Sequence, residues 1–207
     1  MGGGKGWTLT RALVEVVRSR LKVDAAEKSL LIASVALLEA ETAAGSGGDG
    51  SGSSGGASGG ASAVSTPRVD TRVLGEARAA AKTILNTYRL YDAVRAAAGY
   101  LPTKAASGMN QGSKRKENPQ QAARDHGFAA VEFLASVVEF DGFDDLTLEG
   151  EGKYARAAPT PQKLAYALAA MRGARAELKA FADAFNADGT YDAAQEYYFD
   201  LIASGRG

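Results

Sequence analysis

The 207-residue chain predicts an all-α fold, an up-down four-helix bundle preceded by a flexible Gly/Ser-rich linker. Three observations lead there. Apolar residues recur at three- and four-residue spacing in several long stretches, the period of a helix with one buried face. No stretch sustains the two-residue alternation of a half-buried strand. Pro and Gly stand where helices should begin and end. Composition narrows the function classes further. There is no Cys, so disulfides and thiolate-held metals are excluded. Lys and Arg together number 24, as do Asp and Glu, so the chain lacks the positive excess of a general nucleic-acid or anionic-membrane binder. No apolar run approaches the ~18 residues of a spanning helix.

The first 44 residues carry two competing expectations. Lys5, Arg11, Arg18, Arg20 and Lys22 face a single acid, Glu15, over Met1–Lys22. Leu9, Leu13, Val16, Val17 and Leu21 recur near helical spacing there, and the apolar stretch Leu30–Leu38 follows. One expectation is a pair of short helices packed on each other or on the main domain. The other is a targeting segment, because a basic amphipathic start before a short apolar core is the order of a two-part import signal. Glu39 and Glu41 crowd the region, Thr42–Gly45, where such a signal would be cut.

Gly45–Thr66 follows as a linker. Its 22 residues hold 9 Gly and 7 Ser, and Val64 is the only large apolar side chain. That composition buries too little apolar surface to offset the entropy of ordering it.

Residues 67–207 are of ordinary domain size and read as four helices. The first runs from about Asp70 to Ala98, with Leu74, Ala77, Ala81, Ile84, Tyr88, Tyr91 and Val94 on one stripe. Gly99 suits a left-handed C′ position and Pro102 prevents continuation. The second opens at Asn118-Pro119-Gln120-Gln121, an N-cap, Pro at N1 and Gln at N3. Phe128, Val131, Leu134, Val137 and Val138 are its inward face, to about Phe140. The third opens at Thr160-Pro161, and Leu164, Leu168, Met171, Leu178, Phe181 and Phe185 hold the period to about Asn186. The fourth, Tyr191 to about Ala203, turns Ala194, Tyr198, Leu201 and Ile202 inward.

Catalytic constellations are scarce. His126 is the only imidazole, so any Ser/His/Asp triad must use it, and Asp125 beside it points about 100° away around a helix. No nucleophile elbow, phosphate loop or Glu-x-x-His pair is present. The acids of Glu139–Glu151 miss EF-hand spacing, because Phe143 falls where a ligand is required. In the segment Asn186–Asp192 both essential EF-hand carboxylates are replaced, by Ala184 and Gln195. It reads instead as a turn in which Gly189 takes positive φ and Asp188 or Thr190 caps the next helix. No metal site and no cofactor are expected.

What remains is docking chemistry. Lys114-Arg115-Lys116, with Lys104 upstream, makes a basic loop. Asp141, Asp144 and Asp145 belong to an acidic one. Exposed opposed charges of this kind steer association with partner proteins. Tyr197 and Tyr198, in the run Tyr197-Tyr198-Phe199, are the aromatic candidates. Three consecutive helical positions sweep about 200°, so at least one ring reaches the surface, and Tyr is enriched at interface hot spots.

The stretch Thr190–Ala203, with Ala194-Gln195-Glu196-Tyr197-Tyr198, is similar to the last helix of the PsbQ-like extrinsic proteins of photosystem II, and the Lys163–Phe185 helix resembles its counterpart. The resemblance implies a four-helix bundle docked on a photosystem in the chloroplast thylakoid lumen, with Met1–Ala44 as the import signal. The expectation is thus a non-catalytic assembly protein bound to a larger protein complex, peripheral to a membrane at most. A small-ligand-binding or regulatory bundle, in the cytoplasm, is the alternative.

Overall fold

The computed structural model describes residues 7–45, 71–103, 118–139, 161–186 and 188–206, and those residues form helices with no strand. In chain order they are α1 (Leu9–Gly45), α2 (Thr71–Lys82), a π turn (Thr83–Thr87), α3 (Leu90–Ala98), α4 (Pro119–Glu139), α5 (Pro161–Asp183) and α6 (Thr190–Ala203). The expected linker, residues 46–66, lies outside the described residues, as do residues 104–117 and 140–160.

α1 corrects the first expectation. It is one helix of 37 residues, not two short ones, about 55 Å long at 1.5 Å per residue. The reason is in the sequence: between Leu9 and Ala44 there is neither Gly nor Pro to break it. Thr8 caps its start, its Oγ1 accepting from the Arg11 amide at 3.2 Å. Ala12, Leu13, Val16, Val17, Val23 and Leu30 are buried, and α1 packs against α2, α3, α5 and α6. It therefore belongs to the core rather than trailing from it.

The helix expected over residues 70–98 is divided. The π turn ends with the Tyr88 amide donating to the Thr83 carbonyl at 3.1 Å, and Thr83 Oγ1 bonds back to the Ala79 carbonyl at 2.8 Å. Arg89 then takes φ 53°, ψ 48° before α3 begins. β-branched and Asn residues in Thr83-Ile84-Leu85-Asn86-Thr87 are weak helix formers, which localises the break there. The inward stripe survives, since Leu74, Ala77, Ala81, Ile84 and Val94 are all buried. Tyr91 is the exception: it is exposed and stacks on Phe128 at 4.9 Å between ring centroids. Gly99 stays right-handed at φ −60°, so no left-handed cap forms.

α4 and α5 fall close to their expected bounds. Asn118 Oδ1 accepts from the Gln120 and Gln121 amides at 3.0 and 3.4 Å, the N-cap foreseen. Gln121 does not reach back to complete the box; its Nε2 donates to Asp125 at 2.7 Å. Every apolar α5 position expected inside is buried, from Leu164 to Phe185.

Named contacts give the directions. Arg18 lies over Tyr88, while the Tyr100 hydroxyl donates to the Trp7 carbonyl, so α1 and the α2–α3 rod run antiparallel. Arg78 Nε donates to the Val138 carbonyl and Tyr91 stacks on Phe128, so that rod and α4 are antiparallel too. His126 meets Glu177, and Phe133 covers Gly173, so α4 and α5 are antiparallel as well. α5 completes the circuit against α1. Small residues allow the closest approaches: a Cβ on Gly127 would sit 2.2 Å from Val94 Cγ1. α6 packs on α1, with Tyr191 and Ala194 buried, whereas Ile202 is exposed, contrary to the expected face.

An ionic clamp joins α1 to α5. Glu27, only 8% exposed, accepts from Arg172 Nε at 3.2 Å and Arg175 Nη1 at 3.0 Å. Arg175 Nε also stands 3.0 Å from Asp24 Oδ1 as an ion pair. The hydrogen bond to Glu27, then the nearby Asp24 charge, holds the Arg175 pKa above its ordinary value.

Candidate functional site

α6 presents its aromatic residues in a way its inward face dictates. Tyr191 and Ala194 point into the core. Tyr198 follows at seven and four residues, hence on the same side, and is half-buried. Tyr197 and Phe199 flank it and are exposed. Both ends of the helix are fixed. At the start, Asp188 Oδ1 accepts from the Thr190 amide at 3.1 Å and hydroxyl at 2.5 Å, with Gly189 at φ 72°. Those bonds from Thr190 hold the Asp188 carboxyl below its usual pKa. At the end, Gly205 takes φ 69°, its amide donates to the Ile202 carbonyl, and the Arg206 amide donates to Leu201 at 2.9 Å. This is a Schellman reversal. It turns the chain back so that Arg206 lies beside α6.

The result is a groove of about 390 Å³ between α6 and the first three turns of α1. Tyr197, Tyr198, Leu201 and Arg206 form one wall, and Arg11, Val14, Glu15 and Arg18 belong to the other. Arg11 and Arg18 are seven residues apart and so share a helix face. Arg18 Nη1 reaches both Glu15 carboxylate oxygens at 3.2 and 3.3 Å, and its guanidinium lies 4.5 Å over the Tyr88 ring. Its Nε is buried without a hydrogen-bond partner among the described groups. Arg11 packs 5.2 Å from the Trp7 ring centroid, and Arg89 lies 6.0 Å from the same ring. The aromatic and guanidinium layer thus continues from the groove onto the end of α3. Cations over ring faces hold the long arginine side chains in place.

A second groove, about 610 Å³, runs along the α4–α5 seam. Its walls carry Phe133 and Tyr166 with the carboxylates Glu132 and Glu177, over a floor of small residues such as Ala129 and Ala169. His126 Nδ1 lies 2.7 Å from Glu177 Oε2, and both side chains are partly exposed. No hydroxyl nucleophile stands on this pair in the described contacts. The arrangement is a surface bridge between two helices. Among the described residues no group of three His, Cys, Asp or Glu gathers as a metal site.

Of the residues singled out by sequence, Tyr197 and Tyr198 lie in the α1–α6 groove. Lys104, Lys114, Arg115, Lys116, Asp141, Asp144 and Asp145 lie outside the described residues. The arginines of the groove were missed as site residues because the basic N-terminal charge reads equally well as an import signal. Their seven-residue spacing was the available clue. Arg206 carried a clue of its own, the Ser204-Gly205-Arg206 ending that favours a helix reversal.

No family model matches the chain, and neither a curated protein nor a solved structure does so.

Proposed function

We propose that this chain is a non-catalytic assembly protein, a bundle with four helical sides and an added sixth helix, that docks an acidic segment of a partner protein in the α1–α6 groove. One observation carries the reading: Tyr197 and Tyr198 meet Arg11, Arg18 and Arg206 in a single groove. Tyr and Arg are the residues that dominate interface hot spots. The planar guanidinium fork suits carboxylates. Only Glu15 among the groove's residues opposes the positive charge, and it is taken up by Arg18. The photosystem complex and the lumen, as partner and place, rest on the α6 resemblance alone.

A labelled peptide of alternating Glu and Phe, with a Lys-for-Glu control, tests the reading on the full chain by fluorescence anisotropy. The acidic peptide is expected to bind and to weaken with salt, since surface charge pairing is screened at a Debye length of about 8 Å in physiological salt. Arg11→Glu and Tyr197→Ala are each expected to lower its affinity by about tenfold, the 1.4 kcal/mol range of a hot-spot contact. Equal binding of the two peptides overturns the proposal.

The α4–α5 groove supports the second reading, a small-ligand site. Two aromatics with two carboxylates fit an organic cation carrying an apolar body. A thermal shift with quaternary ammonium amphiphiles that Glu132→Gln removes would favour it over the first.

A further inference from the structure

The C-terminal half of α1 leaves a large apolar face uncovered. Leu31, Ile32, Val35 and Leu38 are 40%, 62%, 46% and 60% exposed. Their steps of one, three and three residues place them within one stripe about 120° wide. Scattered exposed aliphatics need no explanation, but four on one stripe of one helix form a patch that invites association.

The charges beside the stripe specify the partner. Lys28 and Glu39 are exposed, and neither takes part in an ion pair among the described residues. Eleven residues separate them, close to three full turns, so they stand on the same face as Ile32 and Val35. They are also symmetric about a point midway between residues 33 and 34, as Ile32 and Val35 are. When two copies of this helix lie antiparallel across a twofold axis at that point, each Lys28 meets the other copy's Glu39, and each Ile32 meets the other copy's Val35. An isologous contact requires this self-complementarity. A parallel pairing would set Lys28 against Lys28 and Glu39 against Glu39, which costs rather than stabilises.

We propose that α1 forms an antiparallel homodimer through Leu31, Ile32, Val35 and Leu38, with Lys28 and Glu39 paired at both ends of the contact. The surface lies apart from the α1–α6 groove, and the two can be tested separately. The apolar stripe and its flanking charges bury roughly 800 Å² over both copies, below the ~1,200 Å² of standard stable interfaces. The dimer is therefore weak, with a Kd on the order of 10 µM.

Sedimentation equilibrium of the full chain from about 1 to 200 µM, concentrations that bracket that Kd, tests the proposal. The mass is expected to rise from the 21.4 kDa of the monomer toward twice that value. Ile32→Lys is exposed enough to leave the fold intact, as circular dichroism would verify, and is expected to abolish the rise. Lys28→Glu and Glu39→Lys are each expected to weaken the dimer several-fold, and the double reversal to restore it to within about twofold, because the pairs are re-formed with opposite sign. A mass that stays at the monomer value overturns the proposal, whether another partner or another stretch of this chain covers the stripe. A dimer that survives Ile32→Lys, or that the double reversal fails to restore, overturns the antiparallel geometry.

Discussion

At the scale of single residues, three positions hold more constraint than their chemistry alone suggests. Gly127 packs directly on α3, and a methyl there would collide with Val94, a β-branched side chain with little freedom to move. Gly127→Ala gains about 1 kcal/mol of helix propensity but overpacks the seam, so a net loss of about 1–2 kcal/mol is expected in urea unfolding. Val94→Ala made in the same chain should recover part of that loss. Additive losses would mean the seam relaxes by another route. Tyr191 is 1% exposed, and its hydroxyl makes no hydrogen bond of good geometry among the described groups, while the Arg20 guanidinium acts on it as a weak donor and a nearby charge. Burial raises the phenol pKa. A group whose folded-state pKa is raised contributes stability fully below its unfolded value, about 10 for Tyr, and loses it as pH climbs through the folded value. Tyr191→Phe removes a hydroxyl that holds no more than a weak hydrogen bond, from Arg20, at little cost in shape. It is expected to be neutral or stabilising by up to about 1 kcal/mol at pH 7 and to flatten the fall of stability above about pH 10. A large loss at pH 7 would show that the hydroxyl has a strong partner after all. Arg89 sits at positive φ, where Gly is at ease and Ala is not. Its side chain holds Asp92 at 2.8 Å and lies over Trp7. Arg89→Gly relieves the backbone while losing those contacts, so the two terms nearly cancel, whereas Arg89→Ala loses both and should be about 1 kcal/mol worse than Gly in the same assay.

At the scale of elements, what was legible in the sequence is what local rules decide. α4, α5 and α6 could be read because each begins on a capping signal and keeps a helical period: Asn118-Pro119, Thr160-Pro161 and Asp188-Gly189-Thr190 mark their starts. α1 was legible as helical stretches but not as one core helix, since a basic amphipathic start and an apolar continuation also describe an import signal. Its contacts with α2, α3, α5 and α6 are a property of the folded chain that its local pattern does not announce. The division at residues 83–89 carries no Pro or Gly to announce it, and only the buried face beyond it, Leu90, Ala93, Val94 and Ala97 with Tyr91 turned outward, reveals the shift that the π turn introduces. The groove was legible by half for a similar reason. Tyr197 and Tyr198 announce themselves in sequence, while Arg11 and Arg18 become partners to them only when α6 folds back along α1. The clamp between α1 and α5 belongs to this scale. Glu27 is buried, but Arg172 and Arg175 keep more than half their surface in water, so removing the acid strands no buried cation. Glu27→Gln is accordingly expected to cost about 1–2 kcal/mol rather than the ~3–5 kcal/mol of a fully buried broken pair. Calorimetry at low and high salt checks it, and a strong salt dependence would show that the pair behaves as exposed.

At the scale of the whole molecule, α1 decides what the chain can do without. It touches α2, α3, α5 and α6, so it is the member through which α6 joins the rest. Leu13, Val16, Val17, Val23 and Leu30 are almost wholly buried along it. At ~1.5–3 kcal/mol for each fully buried aliphatic side chain, those five residues alone match the entire net stability of about 5–15 kcal/mol typical of a domain. A chain beginning after residue 45 would also expose the apolar faces of α3, α5 and α6 that α1 covers. The truncated chain 46–207 is therefore expected to lose its cooperative thermal transition, to bind a hydrophobic dye, and to lose the α1–α6 groove with it. Adding back a peptide of residues 7–45 should restore the transition in proportion to its occupancy, by mass action. The N-terminus of the protein from its source cells is the companion measurement. Retention of residues 7–45 is expected if the fold described is the working one. Cleavage between Ala43 and Pro67 would mean that α1 acts as a removed address, and then the working molecule must repack the faces that α1 covers here.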